Sequence, residues 1–198
     1  MSLFKLSDIR PANEAVLLND VFLILLHATR IPPHLLISVN GKIFTLSVKG
    51  ATVDGELRAL LQLIHKKKIE TLFIRLSLPP LFTLDQLSTE IRSCTLAYPR
   101  VDIGIATCLS PINDFCHTVY DTETKNVNLI FDLLPKLQEK NVTKEIFHLN
   151  LDLTPDTAVG TGPDPSPRGE GSNNSFALRK YEVNDVYEAI RQSTLIMA

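Results

Sequence analysis

The sequence predicts an α+β fold in which an antiparallel sheet packs against helices. Three observations lead there. Asn40-Gly41 separates two β-rich runs, and this pair is the strongest short-range hairpin signal because both turn residues must accept positive φ. Val21-Phe-Leu-Ile-Leu-Leu is an unbroken apolar run of strand length. Stripes such as Leu57, Leu60, Leu61 and Ile64 recur at helical spacing between the strand-like segments.

Taken in order, residues 1–18 mix polar and apolar side chains and read as a lead-in turn and short helix. The strand from Val21 ends at Arg30-Ile-Pro-Pro, because proline lacks a ladder donor and restrains the residue before it. The hairpin follows, with His34-Leu-Leu-Ile-Ser-Val on one side of Asn40-Gly41 and Lys42-Ile-Phe-Thr-Leu-Ser-Val on the other. Asp54 then suits the cap of a helix running to about Lys67, whose end carries the cations Lys66, Lys67 and Lys68 where they complement the helix dipole. Ile69 to Leu78 alternates as a strand and stops at Pro79-Pro80. A helix from Thr83 or Asp85 directs Leu84, Leu87, Ile91 and Cys94 inward. Tyr98-Pro99-Arg100 is a turn, Val101 to Ala106 a short β-like piece, and Ser110 to about Tyr120 a helix. A further helix covers about Asn126 to Lys140, and Glu145 onward reads as a last strand.

The composition then changes. Pro155, Pro163, Pro165 and Pro167 lie close to Gly160, Gly162, Gly169 and Gly171, with almost nothing to bury, which predicts a disordered linker over 154–181. Its Pro165-Ser-Pro-Arg-Gly-Glu-Gly core looks like translated repetitive bacterial DNA, an insertion without function. The expected organisation is a domain over 1–153, the linker, and a C-terminal helix over 182–198 with Val183, Val186, Ile190 and Ile196 apolar. That helix either docks on the domain or stands as an appendage.

The bulk properties narrow the function. A chain of 198 residues with 44% hydrophobic and 21% charged residues can bury one sizeable core. A formal net charge of −2 gives no basic excess of the kind phosphate backbones attract, so no nucleic-acid partner is expected. Three cysteines are an odd number and no disulfide framework, which favours a reducing compartment. The N-terminal segment lacks the pattern of a signal peptide, and the longest apolar stretch is far below the roughly 20 residues a bilayer demands. A soluble cytoplasmic protein is expected, or one exported without a signal peptide, with no integral membrane segment.

Cys108 is the candidate nucleophile. It stands just before a helix whose first turn holds Pro111, a favoured position for proline. Free backbone N–H groups and the dipole there stabilise a thiolate and supply oxyanion donors. The alternative is a cysteine packed as a small hydrophobe. A thiol also needs a base. His65 lies beside the lysine run, His117 more than two turns along the cysteine's helix, His148 mid-strand, and His27 before a loop, whereas His34 opens a hairpin strand directly after Pro-Pro. Cys108 and Cys116 are offset by about 80° on a helix, and Cys-x-x-Cys is absent, so neither metal nor other cofactor is expected.

Leu18-Asn-Asp-Val-Phe-Leu-Ile, the His34 hairpin, and Val101-Asp-Ile-Gly-Ile-Ala-Thr-Cys108-Leu-Ser-Pro together resemble the circularly permuted papain-like cysteine hydrolases. That group includes the NlpC-type and YiiX-like peptidases and the lecithin:retinol acyltransferase group. The resemblance spans about residues 17–120. Asn19 stands where the family entry carries glycine, and Thr45 where the acyltransferase branch has a second histidine, with Ser47 as the alternative on the same face. The resemblance implies a permuted papain-like fold and a catalytic set of Cys108, His34 and Thr45. It also implies an acyl-enzyme intermediate on a peptide or other acyl-bearing substrate. The competing expectation is a catalytically inactive interaction module built on the same scaffold.

Overall fold

The computed structural model describes residues 3–155 and 174–195. Its elements in chain order are β1 (Leu3–Leu6), β2 (Ile9–Pro11), α1 (Glu14–Leu17), β3 (Val21–Leu26), β4 (His34–Val39), β5 (Lys42–Ser47) and β6 (Gly50–Glu56), followed by α2 (Leu57–Lys67), β7 (Thr71–Leu76), α3 (Leu84–Leu96), α4 (Ser110–Tyr120), α5 (Ile130–Glu139), β8 (Thr143–Leu149), β9 (Thr154–Pro155), β10 (Asn174–Arg179) and α6 (Val183–Leu195). Seven strands form the main sheet in the order β2-β8-β7-β3-β4-β5-β6, and three form a smaller one, β1-β10-β9. The fold is α+β, and the main sheet is mixed rather than purely antiparallel, because β2 runs parallel to β8 at its edge.

The unbroken apolar run of β3 has a physical reason. Val21, Leu23 and Leu25 face a core built with α3, α4 and α5, while Phe22 and Ile24 face a second core against α2. A strand covered on both faces has no solvent side to alternate toward. Each fully buried Leu, Ile or Phe on it contributes about 1.5–3 kcal/mol. The hairpin joining β4 to β5 turns through Asn40 at φ 49° and Gly41 at φ 74°. A Cβ on Gly41 would also stand 3.2 Å from the Leu18 carbonyl oxygen, so the position needs glycine twice over.

Several expected boundaries are corrected. Residues 3–18 carry two strands as well as a short helix capped by Asn13. Asp54 caps nothing: it lies in β6 at φ 56° and accepts two hydrogen bonds from Arg92, at 2.8 and 2.6 Å, while α2 starts at Leu57. Val101 to Ala106 is a loop closed by an Asp102–Ala106 bridge around Gly104, not a strand. The strand beginning near Glu145 is not the last, since β9 and β10 follow.

The linker expected over 154–181 is overturned at both of its described ends. β10 pairs with β1 from Leu3–Arg179 to Leu6–Phe176, Leu178 and Tyr181 are buried, and β9 pairs with the start of β10. Alternating Phe176 and Leu178 give β10 an apolar face, and its partner is the other terminal region of the chain. The stretch read as a repetitive insertion, from Pro165 to Gly171, lies outside the described residues. Among the described residues, no helix is long and apolar enough to cross a membrane.

Candidate active site

The loop before α4 brings Cys108 to the sheet. The Val101 N–H donates to the Ser47 carbonyl at 2.9 Å, tying this loop to the end of β5. Thr107 then organises the turn: the Leu109 N–H donates to its Oγ1 at 3.2 Å, and its own N–H donates to Ser110 Oγ at 2.9 Å. Cys108 therefore sits two residues ahead of α4, whose first turn contains Pro111. The N–H groups of Leu35 and of Cys108 itself lie near enough to the sulfur to favour its charged form. Leu35 is the residue after His34, so the sulfur meets β4 at the end where the imidazole begins. Cys108 and His34 line the same pocket, together with Thr107, Pro32, Pro33 and Ser47.

Thr45 lies across from His34 on the neighbouring strand. Its Oγ1 is 2.9 Å from His34 Nε2 and donates its proton to the Leu35 carbonyl at 3.1 Å. A hydroxyl has one proton to give. With that proton committed to Leu35, Thr45 accepts from an Nε2–H, which leaves His34 Nδ1 as the unprotonated nitrogen. Ser47, the alternative orienting group, instead donates to the Gly50 carbonyl at 3.1 Å and makes no hydrogen bond to the imidazole. A β-bulge between Ile43 and Thr45 adjusts the β5–β6 register at this point.

The electrostatics of the two central groups favour their neutral forms. Burial pulls His34 below its ordinary value, and nearby His27 adds to the effect. Burial pushes the Cys108 thiol up, opposed by the N–H groups of Leu35 and Cys108. The expectation that the helix N-terminus would depress this thiol is thereby corrected: desolvation outweighs the local donors. The other thiols are buried in the core, Cys94 and Cys116 both pushed up to about 12, chiefly by desolvation. Cys108 is the one cysteine of the three that is only partly buried, and it lines the pocket.

Comparison with known protein families, with curated proteins and with solved structures returns no match to this chain. The site must be read from its own chemistry. Of the remaining histidines, His27 bears on His34 electrostatically, and the other three stand apart from the site. His65 approaches Glu14 at 3.4 Å on the surface, His117 Nδ1 contacts the Thr122 carbonyl at 3.1 Å, and His148 is on β8. Among the described residues, no cluster of His, Cys, Asp or Glu is arranged to hold a metal ion.

The opposite wall of the pocket was missed by sequence reasoning. α6 contributes Val186, Ala189, Ile190 and Ser193. Their spacing of three, four and seven positions is a single helical stripe, and Val186 and Ile190 were visible as apolar tail residues. What the sequence left open was whether the stripe docked, and on what.

Proposed function

We propose that this chain is a thiol-dependent hydrolase or acyl transferase with Cys108 as nucleophile, His34 as general base and acid, and Thr45 as the residue that positions the imidazole. One observation supports the reading: His34, held through Nε2 by Thr45, and Cys108 line the same pocket. Neutral thiol and neutral imidazole are the resting pair, so proton transfer accompanies attack rather than preceding it.

In the acylation step the Cys108 proton passes to His34 Nδ1 while a sulfur electron pair forms the S–C bond to the substrate carbonyl. The C=O pair moves onto oxygen, and the Cys108 N–H, which favours the thiolate before attack, turns to serve that oxygen once the sulfur is bonded; the Leu109 N–H is already engaged by Thr107. When the tetrahedral species collapses, the bond to the leaving group breaks and that group takes the proton from Nδ1. Water then gives a proton to Nδ1, and its oxygen bonds to the acyl carbon. The C–S bond breaks, and the thiolate recovers the proton. With another nucleophile in place of water, the same steps transfer the acyl group. Amide, ester and thioester carbonyls all fit this sequence.

The test is labelling of the full chain with a chloromethyl ketone or iodoacetamide probe at pH 7, read by peptide mass spectrometry. The expected result is modification of Cys108 that persists in Cys94→Ser and Cys116→Ser and is lost in His34→Ala. Labelling of Cys108 at the same rate in wild type and His34→Ala removes the catalytic reading and leaves an inert scaffold that binds through the same groove.

A further inference from the structure

The pocket beside Cys108 has a composition that goes further than the reaction class. Its volume is about 220 Å³, and its non-polar walls come from Leu46, Val48 and Val101 on one side and Val186, Ala189 and Ile190 of α6 on the other. Among the described residues, no Asp, Glu, Lys or Arg lines it. A second cavity of about 470 Å³ shares Val48, Val101 and Ile190 with the first, but Arg100, Asp102 and Arg191 also line it, so the uncharged lining is confined to the pocket beside the cysteine. Ile190 is buried at this junction in a small cluster with Leu46, Val101 and Ala106.

Resting on the thiol-hydrolase reading above, we infer that α6 is the acyl-binding wall of the site and selects a substrate whose acyl group is uncharged and apolar. Desolvation sets this preference. A carboxylate or ammonium group drawn into this pocket would give up its hydration and meet no opposite charge among the lining side chains. A hydrocarbon chain, by contrast, gains from every apolar surface it covers. Ala189 is the small residue of the α6 stripe, and it leaves the room that a chain would occupy; a bulky side chain there would fill it. The helix thus acts on selectivity through shape, while the bond-making groups come from β4, β5 and the loop before α4.

The experiment uses the full chain and 7-hydroxycoumarin esters of acetate, butyrate, hexanoate and hemisuccinate, the last matching butyrate in length but ending in a carboxylate. The expected results are a kcat/KM at least tenfold higher for hexanoate than for acetate, and at least tenfold lower for hemisuccinate than for butyrate. In Ala189→Phe the ratio of hexanoate to acetate turnover should fall at least tenfold, an internal ratio that a partly unfolded sample would not change. His34-dependent labelling of Cys108 combined with equal turnover of butyrate and hemisuccinate overturns the acyl inference and leaves the thiol reading standing. An Ala189→Phe variant whose chain-length ratio matches wild type also overturns it. Loss of His34-dependent labelling removes both.

Discussion

Thr45 Oγ1 lies 2.9 Å from His34 Nε2 while giving its own proton to the Leu35 carbonyl at 3.1 Å. One hydroxyl on β5 thus bridges the ring of a histidine on β4 and the backbone of that same strand. It does so through a strand pairing that the Asn40-Gly41 turn dictates. Thr45→Val should keep the methyl packing and lose the hydrogen bond, lowering kcat on an ester substrate by about 10- to 100-fold, the usual cost of removing an orienting partner. Thr45→Ser should recover most of that loss. An unchanged kcat in Thr45→Val, with KM also unchanged, would show that the hydroxyl has no positioning role.

The pH profile follows from the same imidazole. Burial first, and then His27, hold His34 below its ordinary value. The free-base form therefore persists into mildly acidic solution, and the acid limb of kcat/KM should have its midpoint below about 6.5. Removing the neighbouring imidazole in His27→Ala should move that midpoint upward. A midpoint at or above about 6.5 in the wild type, or one that does not move in the variant, contradicts this electrostatic account.

Stability should also fall on both sides of neutrality. His27, His34 and His148 all have values lowered, principally by burial. Their neutral forms are favoured in the folded chain, so the unfolded chain takes up protons first as the pH drops through about 6.5, and folding stability is lost from there downward. The thiols work in the opposite direction: Cys94, Cys108 and Cys116 are raised by burial. Unfolded thiols ionise first above about 8.5, so stability is lost as the pH rises further. Urea midpoints at pH 5, 7.5 and 10 should peak at the middle value, and His34→Gln should soften the acid loss.

β9 ends at Pro155 and β10 begins at Asn174, and these two residues are register partners. The chain thus leaves and re-enters the small sheet at adjacent points. Replacing residues 156–173 by Asn-Gly should preserve the fold. It should also raise stability by about 1–2 kcal/mol, since each halving of a loop recovers about 0.6 kcal/mol of closure entropy. Thermal melting of the shortened chain checks this, and a large drop in Tm would mean that the replaced segment packs on the domain.

Phe22 is fully buried on β3, with its ring edge-on to Phe147 at a centroid distance of 6.2 Å. Phe22→Ala opens a cavity between the sheet and α2 and should cost about 3–5 kcal/mol in urea unfolding. Its effect on the Cys108 side should be small by comparison, because Phe22 belongs to the core on the opposite face of the sheet.

Much of this protein is legible residue by residue. Asn40-Gly41 dictates its turn because few other pairs accept two positive φ values. The unbroken run at Val21 betrays a strand covered on both faces, and Pro111 marks the start of the helix behind Cys108. These are properties of short segments, governed by backbone sterics and side-chain period. The pairing of β1 with β10, the parallel contact of β2 with β8, and the seating of α6 beside Cys108 are of another kind. Each joins pieces far apart in the chain, where many partners satisfy the same local pattern. The selection is made only when all the apolar faces are buried at once, and that is why the sequence named Cys108 and His34 while the folded chain alone revealed the wall that stands opposite them.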